Sequence, residues 1–214
     1  MTLPNAILFP QAMLPLYIFE PRYRRMLSDS LASHRMFSVA MQKPGCVREA
    51  PCSVAGLGLI RACVSRKDGT SHLVLQGIAR VELRETVRYK PYRVHRIRAL
   101  KSTATDSVAV DALTAKVLEL VRAPLQQGFE FAASAPKKKP GQTDESVAAD
   151  LTLNQITSIL DELHDPEKIA DLVSWKMVSS PRGRQLLLET TDLERRLKHL
   201  IHFLMAEMRP SGEG

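Results

Sequence analysis

Two charged side chains at the start of a predicted helix could form an acid–base pair. Glu20 and Arg22 follow a run of apolar residues and prolines. A desolvated carboxylate beside a guanidinium can serve general acid–base chemistry. A carboxylate at a helix start also offsets the positive end of the helix dipole, and nearby arginines balance its charge. The second interpretation explains both residues without catalysis, so we expect Glu20 to cap the helix.

Two histidines and one cysteine are the other candidates for chemistry. His199 and His202 are three residues apart in the last predicted helix, a spacing that could turn both rings toward one metal ion. They lie on the polar side of that helix without an evident third ligand, so we interpret them as surface histidines. Cys63 has no histidine paired with it in the sequence and is expected to act as a small buried hydrophobe. We therefore predict no catalytic residue and no metal site.

Motifs for phosphate and dinucleotide binding are also missing from the sequence. It contains no GxxxxGK[ST], HExxH, paired CxxC or EF-hand pattern. Gly56 and Gly58 form a G-x-G without the third glycine and the helix of a dinucleotide site. No cofactor is therefore expected. The two glycines instead indicate a β-bulge or a close approach by another backbone segment.

The first hundred residues have the pattern of short strands around one helix. Apolar runs at 6–9, 36–41 and 53–65 are bounded by proline or glycine, and Asp68–Gly69 predicts a hairpin turn. In the next strand Val81, Leu83 and Val87 share the buried face, and a last strand covers 92–100. The strand that contains Val81 has a charged, solvent-facing side opposite its buried face, formed by Arg80, Glu82, Arg84, Thr86 and Arg88. Many short strands favour a small closed or nearly closed β-structure.

Helical periodicity governs the rest of the chain. A helix begins near Asp106, and three more begin at Asp165, Ser180 and Thr191, the last through a capping box with Glu194. The segment 133–146 contains two prolines, a glycine and three successive lysines, which predicts a flexible loop. In the final helix one apolar stripe is typical of bundle packing. Its members are Leu193, Leu197, Leu200, Ile201, Leu204 and Met208.

Composition narrows the class of protein. Residues 1–104 contain 17 lysines and arginines against six acidic residues, a formal charge of +11, and residues 105–214 carry −4. A basic half could attract nucleic acid or acidic protein segments. Three cysteines without metal or disulfide spacing indicate a reducing compartment, and neither a secretory signal nor a run of about 18 apolar residues is visible. We therefore expect a cytoplasmic protein that is not in the membrane.

The stretch LFP at 8–10 followed by LPLYIFEPRYRRM at 14–26 closely resembles the entry motif of the Lon protease N-terminal, substrate-binding domain family. The likeness continues through residues 56–83, 90–97, 165–177 and 184–204. It implies an α+β protein with a PUA-like β-barrel and one helix over 1–104. A helical bundle over 105–214 would follow, with a flexible loop near 126–149. Neither an ATPase motor nor a peptidase domain follows in the sequence, so proteolysis by this chain is not expected.

The resemblance also assigns roles to residues, which are mainly structural. Leu8, Phe9, Leu16, Ile18 and Phe19 would fill the barrel core. Pro10, Pro15 and Pro21 would fix turns and the helix start. Glu20, Arg22 and Tyr23 would tie the helix to the barrel. Gly77 to Arg80 would form a G-x-x-R turn into the next strand.

Two functions follow from these observations. The resemblance implies a non-catalytic module that binds unfolded or exposed polypeptide segments, or a partner protein, through a sheet edge or an apolar groove. The alternative is RNA binding by the basic half, because PUA-like barrels elsewhere bind RNA. Its contacts would come from Arg22, Arg24, Arg25, Arg93, Arg96 and Arg98. Only Tyr89 and Tyr92 offer nearby stacking rings, which disfavours this alternative.

Overall fold

The computed structural model describes residues 1–46, 49–103, 107–126 and 153–208. The chain divides into a strand unit, Met1–Lys101, and a helical unit, Ser102–Gly214. The loop predicted near 126–149 lies outside the described residues except for Gln126, which ends a helix. The fold is thus mixed α and β, with strands in the first unit and helices in the second.

The strand unit contains six strands and one helix. The strands are β1 (Thr2–Leu3), β2 (Met13–Ile18), β3 (Met36–Met41), β4 (Val54–Ser65), β5 (Ser71–Arg88) and β6 (Val94–Leu100), and helix α1 (Pro21–Leu31) lies between β2 and β3. The sheet order is β1-β3-β4-β5-β2, and β6 also pairs with β5. β1 runs parallel to β3, whereas the other pairs are antiparallel.

The sheet forks at β5 instead of closing. Residues 71–76 of β5 pair with β4 and β2 at once, and residues 80–82 pair with β4 and β6 at once. β2 and β6 therefore share the side of β5 that faces away from β4. A barrel needs every strand to have a neighbour on both sides. Among the described strands no pair joins β1 to β2, so the sheet is open and the closed barrel is not observed.

The strand predicted over 6–9 is absent, although its apolar residues are buried. Leu8 and Phe9 are fully buried, and their segment crosses the sheet without forming strand hydrogen bonds with it. A Cβ atom added to Gly56 would lie 2.0 Å from the Leu8 carbonyl oxygen, and one on Gly77 would lie 1.9 Å from that of Phe9. The prediction of a close backbone approach at Gly56 is confirmed, since any side chain there would displace the crossing segment.

Three predictions about β5 are wrong. Gly77 and Arg80 lie inside one continuous strand, so no G-x-x-R turn exists. Arg80, predicted on the charged, solvent-facing side of β5, is only 2% exposed. Its guanidinium carbon lies 6.0 Å from the centre of the Phe9 ring. Val87, predicted inside, is 59% exposed. Register shifts on either side of Thr86 interrupt the alternation at Val87. A shift in the pairing with β4, which leaves Ile78 without a partner in the ladder, interrupts it just before Arg80.

The helical unit has five described helices. They are α2 (Val108–Gln126), α3 (Leu153–Glu162), α4 (Pro166–Met177), α5 (Pro181–Glu189) and α6 (Leu193–Glu207). The caps predicted at Asp165 and Ser180 are confirmed, since their side chains accept from the Glu167 and Gly183 backbone N–H groups. α6 is capped by Asp192 and not by Thr191, because the Asp192 carboxylate accepts from the Arg195 N–H. The sequence pattern did not single out α3.

The stripe predicted on α6 is mostly buried. Leu193, Leu197, Leu200 and Leu204 face the interior, Ile201 is half-buried, and Met208 at the helix end is exposed. An arginine that the pattern did not place in the core, Arg196, is fully buried beside them. Among the described residues, the core of this unit is therefore mainly apolar but encloses Arg196 together with the acidic side chain of Asp171.

Candidate functional site

Strands β2, β5 and β4 present apolar side chains on the face of the sheet opposite the core. Their register sets Tyr17 beside His72 and His72 beside Val64. The adjoining row sets Pro15 beside Val74 and Val74 beside Ala62. We call this surface the outer face. It consists of Met13, Pro15, Tyr17, Phe19, Ala62, Val64, His72 and Val74.

Strand periodicity produces this surface. Leu14, Leu16 and Ile18 of β2 point inward, where Leu16 and Leu14 pair with Leu73 and Leu75 of β5. The residues between them must point outward, because side chains alternate along a strand. β2 is also an end of the strand order, where a proline that cannot donate to a ladder is tolerated. The run from Met13 to Phe19 therefore places side chains on both faces of the sheet.

The aromatic side chains of the outer face stack on one another. The Tyr17 ring lies 5.7 Å from the Phe19 ring and 4.7 Å from the His72 ring, centre to centre, and both pairs are inclined by 28°. Tyr17 is 41% exposed, Phe19 58% and Val64 67%. Each distance lies within the range favoured by aromatic pairs. The stacked rings thus form an apolar platform that faces solvent.

The prediction that Phe19 fills the core is wrong. β2 ends with Ile18 inward, so the next residue turns outward just before α1 begins at Pro21. Leu16 is only half-buried, whereas Leu8 and Phe9 are fully enclosed. A sequence that is apolar at every position does not reveal which face is covered.

This surface departs from the usual pattern of an antiparallel sheet. A sheet with one solvated face normally carries polar residues there. Exposed apolar residues that are contiguous, unlike isolated ones, mark interaction sites on proteins. The outer face is therefore our candidate functional site. Tyr17, Val64 and His72 were not predicted as site residues, although the apolar residues at alternate positions of β2 are a signal that could have found them.

The motif residues at the start of α1 form a polar cluster. The Arg22 guanidinium contacts the carboxylates of Glu20, at 2.9 Å, and of Glu49. The Tyr23 hydroxyl donates to the Thr2 carbonyl and accepts from the Thr2 N–H, both at 3.2 Å. These contacts join α1 to β1 and to the segment between β3 and β4.

Burial and neighbouring charges shift the pKa values of Glu49 and Tyr23 in this cluster. Partial burial alone would raise the pKa of Glu49, but the hydrogen bond and charge of Arg22 lower it below its ordinary value. Burial raises the pKa of Tyr23. Glu20 stands at the N-cap position, yet its side chain makes no capping hydrogen bond. Glu20 therefore stands at the helix start with its charge balanced by Arg22, as predicted, but it does not cap the helix through a side-chain hydrogen bond.

The remaining motif residues lie at turns and at the sheet. Pro10 precedes β2, and Pro21 occupies the first turn of α1. Gly77 donates its N–H to the Ala12 carbonyl at 2.8 Å and accepts from the Gln11 N–H at 2.9 Å. The two hydrogen bonds of Gly77 hold the segment before β2 against β5.

The arginines proposed for RNA binding are mostly engaged by acidic partners. Arg25 contacts Asp29 at 3.1 Å, Arg96 contacts Glu85 at 3.7 Å, and Arg98 contacts Glu82 at 2.7 Å. Arg93 donates to the Glu49 carbonyl, next to the Glu49 carboxylate that binds Arg22. Arg24 lies against the turn at Gly69. The structure brings Arg22 and Arg93 together at Glu49 and gives Arg25, Arg96 and Arg98 an acidic neighbour each.

Of the two histidines predicted at the surface, His202 is exposed and His199 is half-buried. His202 packs edge-on to Phe203 at 6.0 Å, and Cys63 is partly buried on β4. Across residues 1–46, 49–103, 107–126 and 153–208, no group of three or more histidine, cysteine or acidic side chains could hold a metal ion. In the same ranges no helix is both long and apolar enough to cross a bilayer.

The chain matches known proteins over almost its whole length. The model of the ATP-dependent protease La (LON) substrate-binding domain matches residues 1–206. The Lon protease of Dictyoglomus thermophilum is 21% identical over 96% of the chain, which spans 24% of that relative's length. Among solved structures, the N-terminal domain of Mycobacterium avium complex Lon protease covers 96% of both chains with a TM-score of 0.70 at 18% identity. A Lon N-terminal domain protein from Xanthomonas campestris has a TM-score of 0.61 at 20% identity, covering 94% of this chain and 96% of its own. The chain therefore belongs to the family of Lon substrate-binding domains, and the resemblance found in its motifs is confirmed.

Proposed function

We propose that this protein is a binding module whose outer face binds unfolded or exposed segments of other polypeptides. The observation that carries the proposal is the stacked pair Tyr17 and Phe19, exposed on an apolar sheet surface. Family membership supports it, because the matching domain is named for substrate binding. Binding and not catalysis is the proposed role of the chain.

The geometry suits an extended ligand. β2 stands at an end of the strand order, and an extended peptide can add to such an edge through main-chain hydrogen bonds. Pro15 removes one donor from that edge, so side-chain contacts must supply much of the affinity. Large aromatic side chains are effective contacts because they offer apolar area at little cost in conformational entropy. An unfolded chain, which displays apolar residues that a folded protein hides, is the ligand that such a surface favours.

The test is fluorescence anisotropy with labelled β-casein, an unfolded polypeptide, titrated with the protein up to about 100 μM, where affinities are already weak. We expect saturable binding. The double variant Tyr17→Ser, Phe19→Ser should weaken it at least about tenfold, the scale of losing one interface hot spot. Both side chains are already exposed, so its melting temperature should change little.

The matched control is Val87→Ser, Tyr89→Ser, which removes two exposed apolar side chains of the same unit outside the outer face. This variant should bind casein like the parent protein. Equal losses in the two variants, or no binding by the parent protein, would contradict the proposal.

RNA binding stays a prediction without an observation that favours it over polypeptide binding. A labelled single-stranded RNA in the same titration examines it, since binding through arginines must weaken steeply with salt. The cytoplasmic location expected from the cysteine pattern also stays a prediction.

A further inference from the structure

Basic residues lie at one end of the outer face, at the turn between β4 and β5. Arg66 follows Val64 by two residues, and its N–H donates to the Thr70 carbonyl at 2.8 Å, which continues the ladder. Residues two apart on a strand share a face and are separated by roughly 7 Å. Arg66 therefore extends the outward row of Ala62 and Val64 by one position.

Two more cations adjoin this turn. Lys67 is exposed within it. Arg24 of α1 lies across Gly69, where an added Cβ atom would sit 1.7 Å from a guanidinium nitrogen. At the opposite end of the outer face Arg61 bonds to the Gln76 side chain. The charge at the turn thus comes from two elements that are distant in sequence.

One acidic residue shares the turn, and its carboxylate interacts with Thr70 and with the charges of Arg66 and Arg24. Asp68 accepts hydrogen bonds from the Thr70 N–H at 2.9 Å and from the Thr70 hydroxyl at 2.7 Å. These bonds hold the turn in its conformation, as short polar side chains do in tight turns. Three cations against one carboxylate leave this end of the outer face positive.

We propose that the outer face prefers polypeptide segments whose aromatic or aliphatic residues adjoin acidic residues, which lie against Arg24, Arg66 and Lys67. This inference rests on the proposed function and names the substrate class of the same surface. Charge complementarity argues for that occupant: acidic flanks meet the cations, whereas basic flanks meet repulsion. The apolar platform supplies contact area, and the turn supplies discrimination.

The test uses three labelled, unstructured peptides with one shared apolar core containing phenylalanine and leucine. They differ only in a triplet at each end, which is acidic, lysine or serine. We expect the acidic peptide to bind about tenfold more tightly than the lysine peptide at low salt, since a few exposed ion pairs each change affinity by up to about fivefold. The preference should shrink toward unity in 0.5 M NaCl, where the Debye length is only about 4 Å.

Variants assign the preference to the turn. Arg66→Glu, Lys67→Glu should reverse the order of the acidic and lysine peptides. The matched control, Lys90→Glu, Lys101→Glu, changes two exposed lysines of the same unit by the same charge and should keep the order. A melting curve of each variant verifies that it is folded.

The outcomes separate the two proposals. If all three peptides bind equally and lose affinity in the Tyr17→Ser, Phe19→Ser variant, the charge preference is refuted and the binding surface stands. If the control reverses the order as well, net charge and not the turn decides, which also refutes the inference. If neither casein nor any peptide binds, the proposed function itself fails.

Discussion

A buried arginine, Arg196, connects several segments of the helical unit through hydrogen bonds and ion pairs. Arg196 donates to the Thr190 carbonyl at 2.8 Å and to the Ser102 hydroxyl at 2.6 Å, and it contacts the carboxylates of Asp171 at 3.3 Å and Glu167 at 3.4 Å. The guanidinium can satisfy several acceptors at once because its donors form a planar fork. It thereby joins α6 to α4 and to the segment before α2.

We expect Arg196→Ala to destabilise the helical unit by about 3–5 kcal/mol. Removing the cation leaves the Asp171 carboxylate buried without its charge partner, the costly way to break a buried pair. Arg195→Ala, at the exposed neighbouring position, should change the free energy of unfolding by less than about 0.5 kcal/mol. Urea denaturation followed by helical circular dichroism measures both. Equal stability of the two variants would show that the network contributes nothing.

At the scale of elements, the sheet depends on glycines where the 6–9 segment crosses it. Gly56 and Gly77 lie on neighbouring strands and meet the backbones of Leu8 and Phe9. The crossing segment buries its apolar side chains only because nothing projects from these two positions. The 6–9 segment can therefore pack against β4 and β5 because neither glycine has a Cβ atom.

We expect Gly56→Ala to lower the free energy of unfolding by about 3 kcal/mol, since the added atom would lie 2.0 Å from a backbone oxygen that cannot rotate away. Gly45→Ala is the control. It adds the same methyl group where nothing lies within 4 Å, at a φ of +76°, so its cost should be the strain of about 1 kcal/mol. Thermal and urea unfolding of both variants compare the two costs. A smaller loss at Gly56 than at Gly45 would contradict the crowding of the crossing segment.

At the scale of the whole molecule, the chain combines two units of different composition. The strand unit carries a formal charge of +11 and the helical unit −4, and each has its own buried core. Units with separate cores can unfold separately. We propose that these two do.

Hydrogen exchange read by mass spectrometry tests this proposal with the variants above. Gly56→Ala should speed exchange in β4 and β5 and leave α4 and α6 unchanged. Arg196→Ala should do the reverse. Faster exchange throughout the chain in either variant would mean that the molecule unfolds as one cooperative unit.

Features that depend on a few neighbouring residues could be predicted from the sequence alone. Asp165 and Ser180 cap their helices because a short polar side chain reaches the N–H two or three residues ahead. Asp68 and Gly69 make their hairpin because the turn needs a left-handed residue, and Gly69 has a φ of +80°. The motif from 8 to 26 identified the family for the same reason, since its prolines and apolar residues are read in order along the chain.

What covers each side chain could not be predicted from the sequence and became known from the folded structure. Phe19 and Leu8 are both apolar, yet Phe19 is exposed and Leu8 is enclosed. Arg80 and Arg196 are charged, and both are buried. Burial depends on strand register and on segments that are distant in sequence, which local periodicity does not encode. The outer face exists for this reason: β2, β4 and β5 each contribute apolar residues to it, and only their pairing places those residues on one surface.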